Sequence, residues 1–105
     1  ATEQEPRPKT VAMASTSLEY SWKKVGFDNI MEADFTVSNS SDFSIKDIQV
    51  RCTYYAKSGT KIGSNRVTIY EIVPAGSTRT FEEFNMGFID AQVQSTACVI
   101  FDISL

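Results

Sequence analysis

Histidine is absent from this 105-residue sequence, and that absence excludes more chemistry than any other feature of its composition. Without histidine the chain cannot build a Ser-His-Asp or Cys-His catalytic group, or a histidine-liganded metal site. Another route to an active site is missing too, because the sequence contains no G-x-S-x-G motif. Glu82 and Glu83 are adjacent on a strand, so they should point to opposite faces and cannot flank one bond. We therefore predict a protein that is not an enzyme.

Positive charge is scarce and nowhere concentrated. Ten Lys and Arg residues stand against thirteen Asp and Glu residues, which gives a net charge of −3, and only Lys23 and Lys24 are adjacent basic residues. Phosphate recognition needs a concentrated positive surface, so we do not expect a nucleic-acid partner. The acidic residues also lack the dense spacing of a calcium-binding loop, and no metal or other cofactor is predicted.

The sequence has no apolar run that approaches the roughly 20 residues needed to span a bilayer, so no membrane-spanning segment is predicted. Residues 1–16 contain two of the three prolines and no aromatic residue. This composition predicts a flexible leader or linker, followed by a single domain over residues 17–105. An initial Ala in place of Met suggests a removed signal peptide, although trimming of a longer chain would look the same. With two cysteines in a small domain, we expect a periplasmic or secreted protein.

Short segments of alternating apolar and polar residues begin at Ser17, and no stripe of helical period runs through them. The clearest strand is Ile30–Ser38, where every second side chain is apolar, as expected for an antiparallel strand with one buried face. Tyr20 and Trp22 follow the same rule in the preceding segment and are expected in the interior. Six or seven such segments, separated by turn residues, predict an all-β, immunoglobulin-like antiparallel β-sandwich.

Cys52 and Cys98 are the candidates for a covalent link. Alternation places Cys52 on the buried face of its strand, whereas Cys98 faces away from the apolar side chains of Val99, Phe101, Ile103 and Leu105. A β-bulge around residues 95–97 would bring the two cysteines onto one face. We favour a structural disulfide, which would stabilise a small domain, over two buried free thiols. The second alternative stays open because unpaired Cys is itself among the most often buried residue types.

The segment Asn85–Asp90 is expected to connect two strands, yet it carries the apolar residues Met86, Phe88 and Ile89. Surface connections normally avoid such side chains. One interpretation is that the segment folds over an open end of the sandwich. The other is that these three residues form an exposed patch that binds a partner protein.

Aromatic residues suggest an alternative function. Tyr55 and Tyr70 could stack against a sugar ring, as carbohydrate-binding modules do, although few aromatic side chains are expected outside the core. The main hypothesis is a non-catalytic exported domain, monomeric or weakly associating, that binds another protein or has an envelope-associated role.

Several motifs occur in an order that is typical of one protein family. They are Phe35–Asn39, Ile48–Val50, Tyr54–Gly59, and Ile72–Ser77 followed by an aromatic strand containing Phe81. Over about residues 30–84 the chain resembles the FxLYD-type family of bacterial extracytoplasmic domains. The resemblance implies an immunoglobulin-like sandwich and an exported location, and it implies no catalytic residue. Ala56 stands where that family has an acidic turn residue.

Overall fold

Residues 8–105 are described by a computed structural model, and they form one short helix and six long strands. The elements in chain order are α1 (Pro8–Ala14), β1 (Thr16–Val25), β2 (Ile30–Asn39), β3 (Ile45–Ala56), β4 (Lys61–Val73), β5 (Thr78–Phe88) and β6 (Val93–Ser104). The strands pair antiparallel in two three-stranded sheets, sheet 1 in the order β1-β2-β5 and sheet 2 in the order β4-β3-β6. The predicted all-β sandwich is confirmed.

Part of this strand order matches an immunoglobulin sandwich, in which the first, second and fifth strands share one sheet and the third and sixth strands lie in the other. The fourth strand differs, because it joins the first sheet in a constant-type domain, whereas β4 pairs with β3 in sheet 2. No seventh strand occurs between residues 8 and 105. The two central strands, β2 and β3, supply most of the core because each is flanked by two neighbours and covered on one face. Their fully or nearly fully buried side chains are Met31, Ala33, Phe35, Val37, Ile45, Ile48, Val50, Cys52 and Tyr54.

Strand β6 departs from simple alternation, and the predicted inner position of Val99 is wrong. Val99 is 48% exposed, whereas Ile103 is buried. Adjacent residues of β3 pair with Ile100 and Asp102, so Phe101 is an additional residue on β6 without a partner in the register. One extra residue moves the following side chains to the opposite face of the sheet.

Cys52 and Cys98 form a disulfide, as predicted. They lie directly opposite each other on β3 and β6, with their Cα atoms 4.0 Å apart. The bulge expected around residues 95–97 is not there, because pairing is continuous over those residues; the register shifts instead at Gln94 and at Phe101. The bond therefore joins two strands of the same sheet, whereas the disulfide of an antibody domain joins the two sheets.

The predicted flexible leader over residues 1–16 requires correction. From Pro8 the chain forms the seven-residue helix α1, whose Ala12 is completely buried against the sandwich. Proline fits the first helical position, and Ala and Met residues favour the helix that follows. Lys9 forms an ion pair with Asp102 of β6, with a distance of 2.7 Å from Nζ to Oδ1. Residues 1–7 lie outside the described part of the chain. From Pro8 to Leu105, no helix is long and apolar enough to cross a membrane.

Two side chains close the side of the sandwich where β4 and β5 meet. The Asn65 amide of β4 donates hydrogen bonds to the carbonyl oxygens of Met86 and Phe88, at 3.0 and 3.2 Å. In the reverse direction, Arg79 of β5 donates to the carbonyl oxygen of Ile72 at 2.8 Å. These bonds satisfy carbonyl groups on two sheet edges, which would otherwise be open to pairing with another strand.

The opposite side, between β1 and β6, is closed in a similar way. The Tyr20 hydroxyl donates to the carbonyl oxygen of Thr96 at 3.2 Å, and Lys24 Nζ donates to that of Ala91 at 2.7 Å. The predicted interior position of Tyr20 is therefore wrong in part: the ring reaches across from an edge strand and stays 37% exposed. Trp22 is partly buried and packs against the core.

Candidate functional site

Two arginines face each other on the outer face of sheet 2. Arg51 of β3 and Arg66 of β4 are direct cross-strand partners, and both are exposed. Each points away from the core because its neighbours in sequence point inward, where Val50 and Val67 pair with each other. We call the surface formed by Arg51, Arg66 and Phe101 the basic face.

Phe101 holds the two arginines together. Its ring lies 5.9 Å from the Arg51 guanidinium carbon and 5.2 Å from that of Arg66. Cation–π contacts at such distances are worth about 0.5–1 kcal/mol at exposed sites. Phe101 is the additional residue of β6. The register shift that turns the following side chains of β6 to the opposite face also places this ring beside the arginines.

Neither arginine has a carboxylate partner among the described residues. The ion pairs formed by residues 8–105 involve other side chains, namely Lys9–Asp102, Lys23–Glu32 and Arg79–Glu71. Like charges directly opposite each other destabilise a sheet. A bound anion would relieve this repulsion, and a guanidinium presents paired N–H donors that match the two oxygens of a carboxylate. The basic face is therefore chemically suited to carboxylate groups.

Tyr55 and Tyr70 are not brought together by the fold. Tyr70 of β4 is 79% exposed, and Tyr55 of β3 is partly buried. Ile69, the residue before Tyr70, pairs with Ile48, and Tyr55 lies seven residues further along β3. At the usual rise per strand residue, the two tyrosines are therefore roughly 26 Å apart. They cannot stack on the same sugar ring.

The predicted patch of Met86, Phe88 and Ile89 also divides. Met86 and Ile89 are buried in the core, so they do not form an exposed patch with Phe88. Phe88 is 76% exposed at the end of β5 and pairs with Ile30 of β2. Phe27, which is 96% exposed, lies three residues before Ile30, in the turn between β1 and β2. Residues 85–88, expected in a connection, belong to β5, because the pairing with β2 continues to Phe88.

A shallow acidic depression of about 270 Å³ lies on the outer face of sheet 1. Glu82 and Glu83 both line it, together with Glu32 and Asp34. The expectation that Glu82 and Glu83 point to opposite faces is wrong, because β5 has one residue more than β2 at this point and Glu83 adopts a positive φ of 53°. Asp34 accepts a hydrogen bond from the Glu83 N–H at 2.8 Å. Across residues 8–105, no group of three Cys, Asp or Glu side chains is placed to hold a metal ion.

Sequence reasoning missed the pair of Arg51 and Arg66, although a signal was present. The motif that ends at Gly59 indicates a turn between the two residues, so they are expected on paired strands. The exact register is not given by the sequence: Tyr55 pairs with Lys61 and Tyr54 with Gly63, and the extra residue Ile62 brings Arg51 opposite Arg66. Phe101 could not be added in this way, because its position depends on the register shift in β6.

Comparisons with known proteins do not extend this picture. No protein-family model, no curated protein and no solved structure matches the chain. The resemblance to the FxLYD-type family therefore stays a prediction, and the fold and surfaces described above are the basis for assigning a function.

Proposed function

We propose that this chain is a non-catalytic binding domain of an exported protein, and that it recognises an acidic segment of a partner protein through the basic face. The observation that carries the proposal is the cross-strand pair of Arg51 and Arg66, which share one aromatic ring and have no carboxylate partner in the described part of the chain. In a protein of net charge −3, two such arginines cost stability and give a local reversal of charge.

A polypeptide fits the basic face better than a polysaccharide. Sugar binding depends on a free aromatic face, and the Phe101 ring is already in contact with both guanidinium groups. Tyr55 and Tyr70 are too far apart to supply a joint platform. Carboxylates of Glu or Asp side chains need only the donors that the arginines offer.

The disulfide supports the exported location that forms part of the proposal. Disulfides persist in oxidising compartments such as the periplasm and the extracellular space, and they are rare in reducing ones. The bond between Cys52 and Cys98 is compatible with the periplasm and with the extracellular space.

The proposal is tested by titrating the full chain with a glutamate 20-mer and following binding by isothermal calorimetry at low and at physiological salt. We expect saturable binding that weakens with salt, because the interaction is between charges at the surface. Changing both Arg51→Gln and Arg66→Gln should weaken it at least about tenfold, which corresponds to about 1.4 kcal/mol.

The matched control changes Lys57→Gln and Lys61→Gln, which removes the same charge from exposed positions near the hairpin turn. It should change the affinity less than about twofold. Equal weakening by both double variants would show only a net-charge effect and would contradict a site at the basic face. Binding of oligogalacturonate without binding of the glutamate peptide would assign the face to an acidic glycan instead, and self-association in sedimentation velocity that Arg66→Gln abolishes would assign it to a second copy.

A further inference from the structure

Strand β1 forms a straight, unbroken edge of sheet 1. It pairs with β2 from Thr16 to Val25 without a register shift, whereas the pairings of the other three edge strands, β4, β5 and β6, all contain such shifts. Shifts of this kind twist a strand and help to keep an edge from pairing with another chain. No proline interrupts β1 either. Its free side therefore has the regular geometry that an additional strand requires.

The carbonyl groups that side chains cover belong to the other three edges. The hydrogen bonds described above reach the carbonyl oxygens of Ile72 in β4, of Met86 and Phe88 in β5, and of Thr96 in β6. No side chain of residues 8–105 makes such a bond to a backbone group of β1. The backbone groups on the free side of β1 can therefore bond to another strand, which is how β-strand addition joins two chains.

Two backbone hydrogen bonds show which residues of β1 direct their polar groups to the free side. The Ser15 carbonyl oxygen accepts from the Ser40 N–H at 2.9 Å, so it points toward β2. The N–H of Asn39, which pairs with Thr16, points away from β1 and donates to Ser77 at 2.9 Å. The direction alternates along an antiparallel strand. The outward groups of β1 therefore belong to Leu18, Tyr20, Trp22 and Lys24.

We propose that two copies of this chain associate through their β1 strands, which pair antiparallel with the two Ser21 residues opposite each other. The two copies of the three-stranded sheet 1 then form one continuous sheet. Such a pairing is symmetric, so every contact occurs twice. Tyr20 lies opposite Trp22 of the second copy, and Leu18 lies opposite Lys24 of the second copy. All four direct their N–H and C=O groups outward, so each pair exchanges two backbone hydrogen bonds.

The charges on the outer face of β1 select this register. Glu19 and Lys23 are exposed and equally distant from Ser21, so Glu19 of each copy lies opposite Lys23 of the other. Glu19 forms no ion pair with any of residues 8–105. A pairing centred on Glu19 would place two carboxylates together, and one centred on Tyr20 or Trp22 would separate Glu19 from Lys23. Opposite charges across strands stabilise a sheet, and like charges destabilise it.

The inner face of β1 also favours a second strand beside it. Leu18 and Trp22 are only partly buried against the core, and Tyr20 is 37% exposed. The proposed register forms cross-strand pairs between Tyr20 and Trp22, and aromatic pairs of this kind stabilise sheets. Lys24 is the charged residue on this face, but its ammonium group donates to the Ala91 carbonyl oxygen at 2.7 Å. Its aliphatic stem is thus left to contact Leu18 of the second copy.

The association is independent of the proposed function, because it uses an edge of sheet 1 and leaves the basic face of sheet 2 free. Sedimentation equilibrium of the full chain over a range of concentrations measures it. We expect the mass to rise with concentration from 11.7 kDa toward twice that value. Trp22 is the only tryptophan, so its fluorescence emission should shift to shorter wavelength over the same range of concentration.

Charge reversal tests the register. Glu19→Lys places two lysines opposite each other at both symmetric positions, and Lys23→Glu places two glutamates there. Each variant alone should therefore associate at least about tenfold more weakly than the native chain. An equimolar mixture of the two variants should recover most of the native affinity, because each position then joins a lysine to a glutamate again.

The matched controls are Glu82→Lys and Lys57→Glu, which make the same charge changes at exposed positions on β5 and in the turn after β3. They should change the affinity by less than about twofold. Thermal melting establishes that every variant is folded.

The proposal is overturned if the native chain sediments as a monomer at every soluble concentration, or if the mixture of Glu19→Lys and Lys23→Glu associates no better than either variant alone. Equal weakening by the control variants would also overturn it, because only the net charge would then matter. Self-association that Arg66→Gln abolishes and both charge reversals leave intact would place the interface on the basic face and not at β1.

Discussion

Asn39 accepts two hydrogen bonds from Ser41, one from its backbone N–H at 3.0 Å and one from its hydroxyl at 2.6 Å. The Asn39 amide donates in turn to the carbonyl oxygens of Phe43 and Val73, at 2.7 and 3.1 Å. A single buried side chain thus joins the end of β2, the turn that follows it and the end of β4. The predicted strand Ile30–Ser38 ends just before Asn39, and the place of Asn39 at the centre of a polar network depends on contacts with a segment more than thirty residues away.

Replacing this side chain should be among the most damaging single changes in the protein. Asn39→Ala leaves several buried polar groups without partners, and we expect the free energy of unfolding to fall by about 2–4 kcal/mol. Urea denaturation measures the difference. The neighbouring Ser40 is exposed, so Ser40→Ala should change stability by less than about 0.5 kcal/mol. Similar losses in the two variants would contradict a structural role for the Asn39 amide.

Loss of the disulfide should be as costly. Cys52 and Cys98 are 46 residues apart in sequence, and a cross-link over that distance stabilises by about 4 kcal/mol in the chain-entropy model. The double change Cys52→Ala and Cys98→Ala should lower the unfolding free energy by about that amount. Dithiothreitol should destabilise the native chain to a similar degree and leave the double variant unaffected. Sensitivity of the variant to the reductant would show that the assay reports something other than this bond.

Stability at alkaline pH should depend on Tyr54. Burial raises the pKa of the Tyr54 hydroxyl above its usual value of 10.0, and the nearby Asn65 side chain offsets only part of that effect. The unfolded chain therefore loses this proton first, so stability is present below about pH 10 and is lost as the pH rises through the raised pKa. Tyr54→Phe should make the alkaline decline shallower and leave stability at pH 7 unchanged or slightly higher. Tyr70→Phe, at an exposed position, is the control and should leave the decline as it is.

The apolar residues after Asn85 should separate into two classes on substitution. Met86→Ala creates a cavity in the core and should cost about 2–5 kcal/mol. Phe88→Ser changes an exposed side chain and should alter the unfolding free energy by less than about 0.5 kcal/mol. Thermal melting of the two variants provides the comparison. A large loss from Phe88→Ser would mean that this ring belongs to the core.

The strands were predictable from the sequence where alternation is unbroken. In β2 the apolar residues from Met31 to Val37 point inward throughout, because the strand lies at the centre of its sheet and one face is covered along most of its length. Gly59 lies in the turn between β3 and β4, where its φ of 88° is a conformation that glycine adopts more readily than other residues.

The errors cluster where one strand has a residue more than its neighbour. Such insertions at Phe101 and near Glu83 reverse the faces of the following side chains, and they have no signature in the pattern of apolar residues. The same limit applies to the candidate sites. Arg51 lies opposite Arg66 because β4 has the extra residue Ile62, and Phe101 lies beside them because β6 has an extra residue of its own.

The position of the disulfide gives the domain an unequal response to mechanical pulling. Tension that enters through β6 can peel this strand from β3 only as far as Cys98, because the covalent bond then carries the load. Tension that enters through β1 meets no such stop, since β1 is an edge strand held to β2 by hydrogen bonds. In an oxidising environment one end of the sandwich can therefore unravel under force while the other resists.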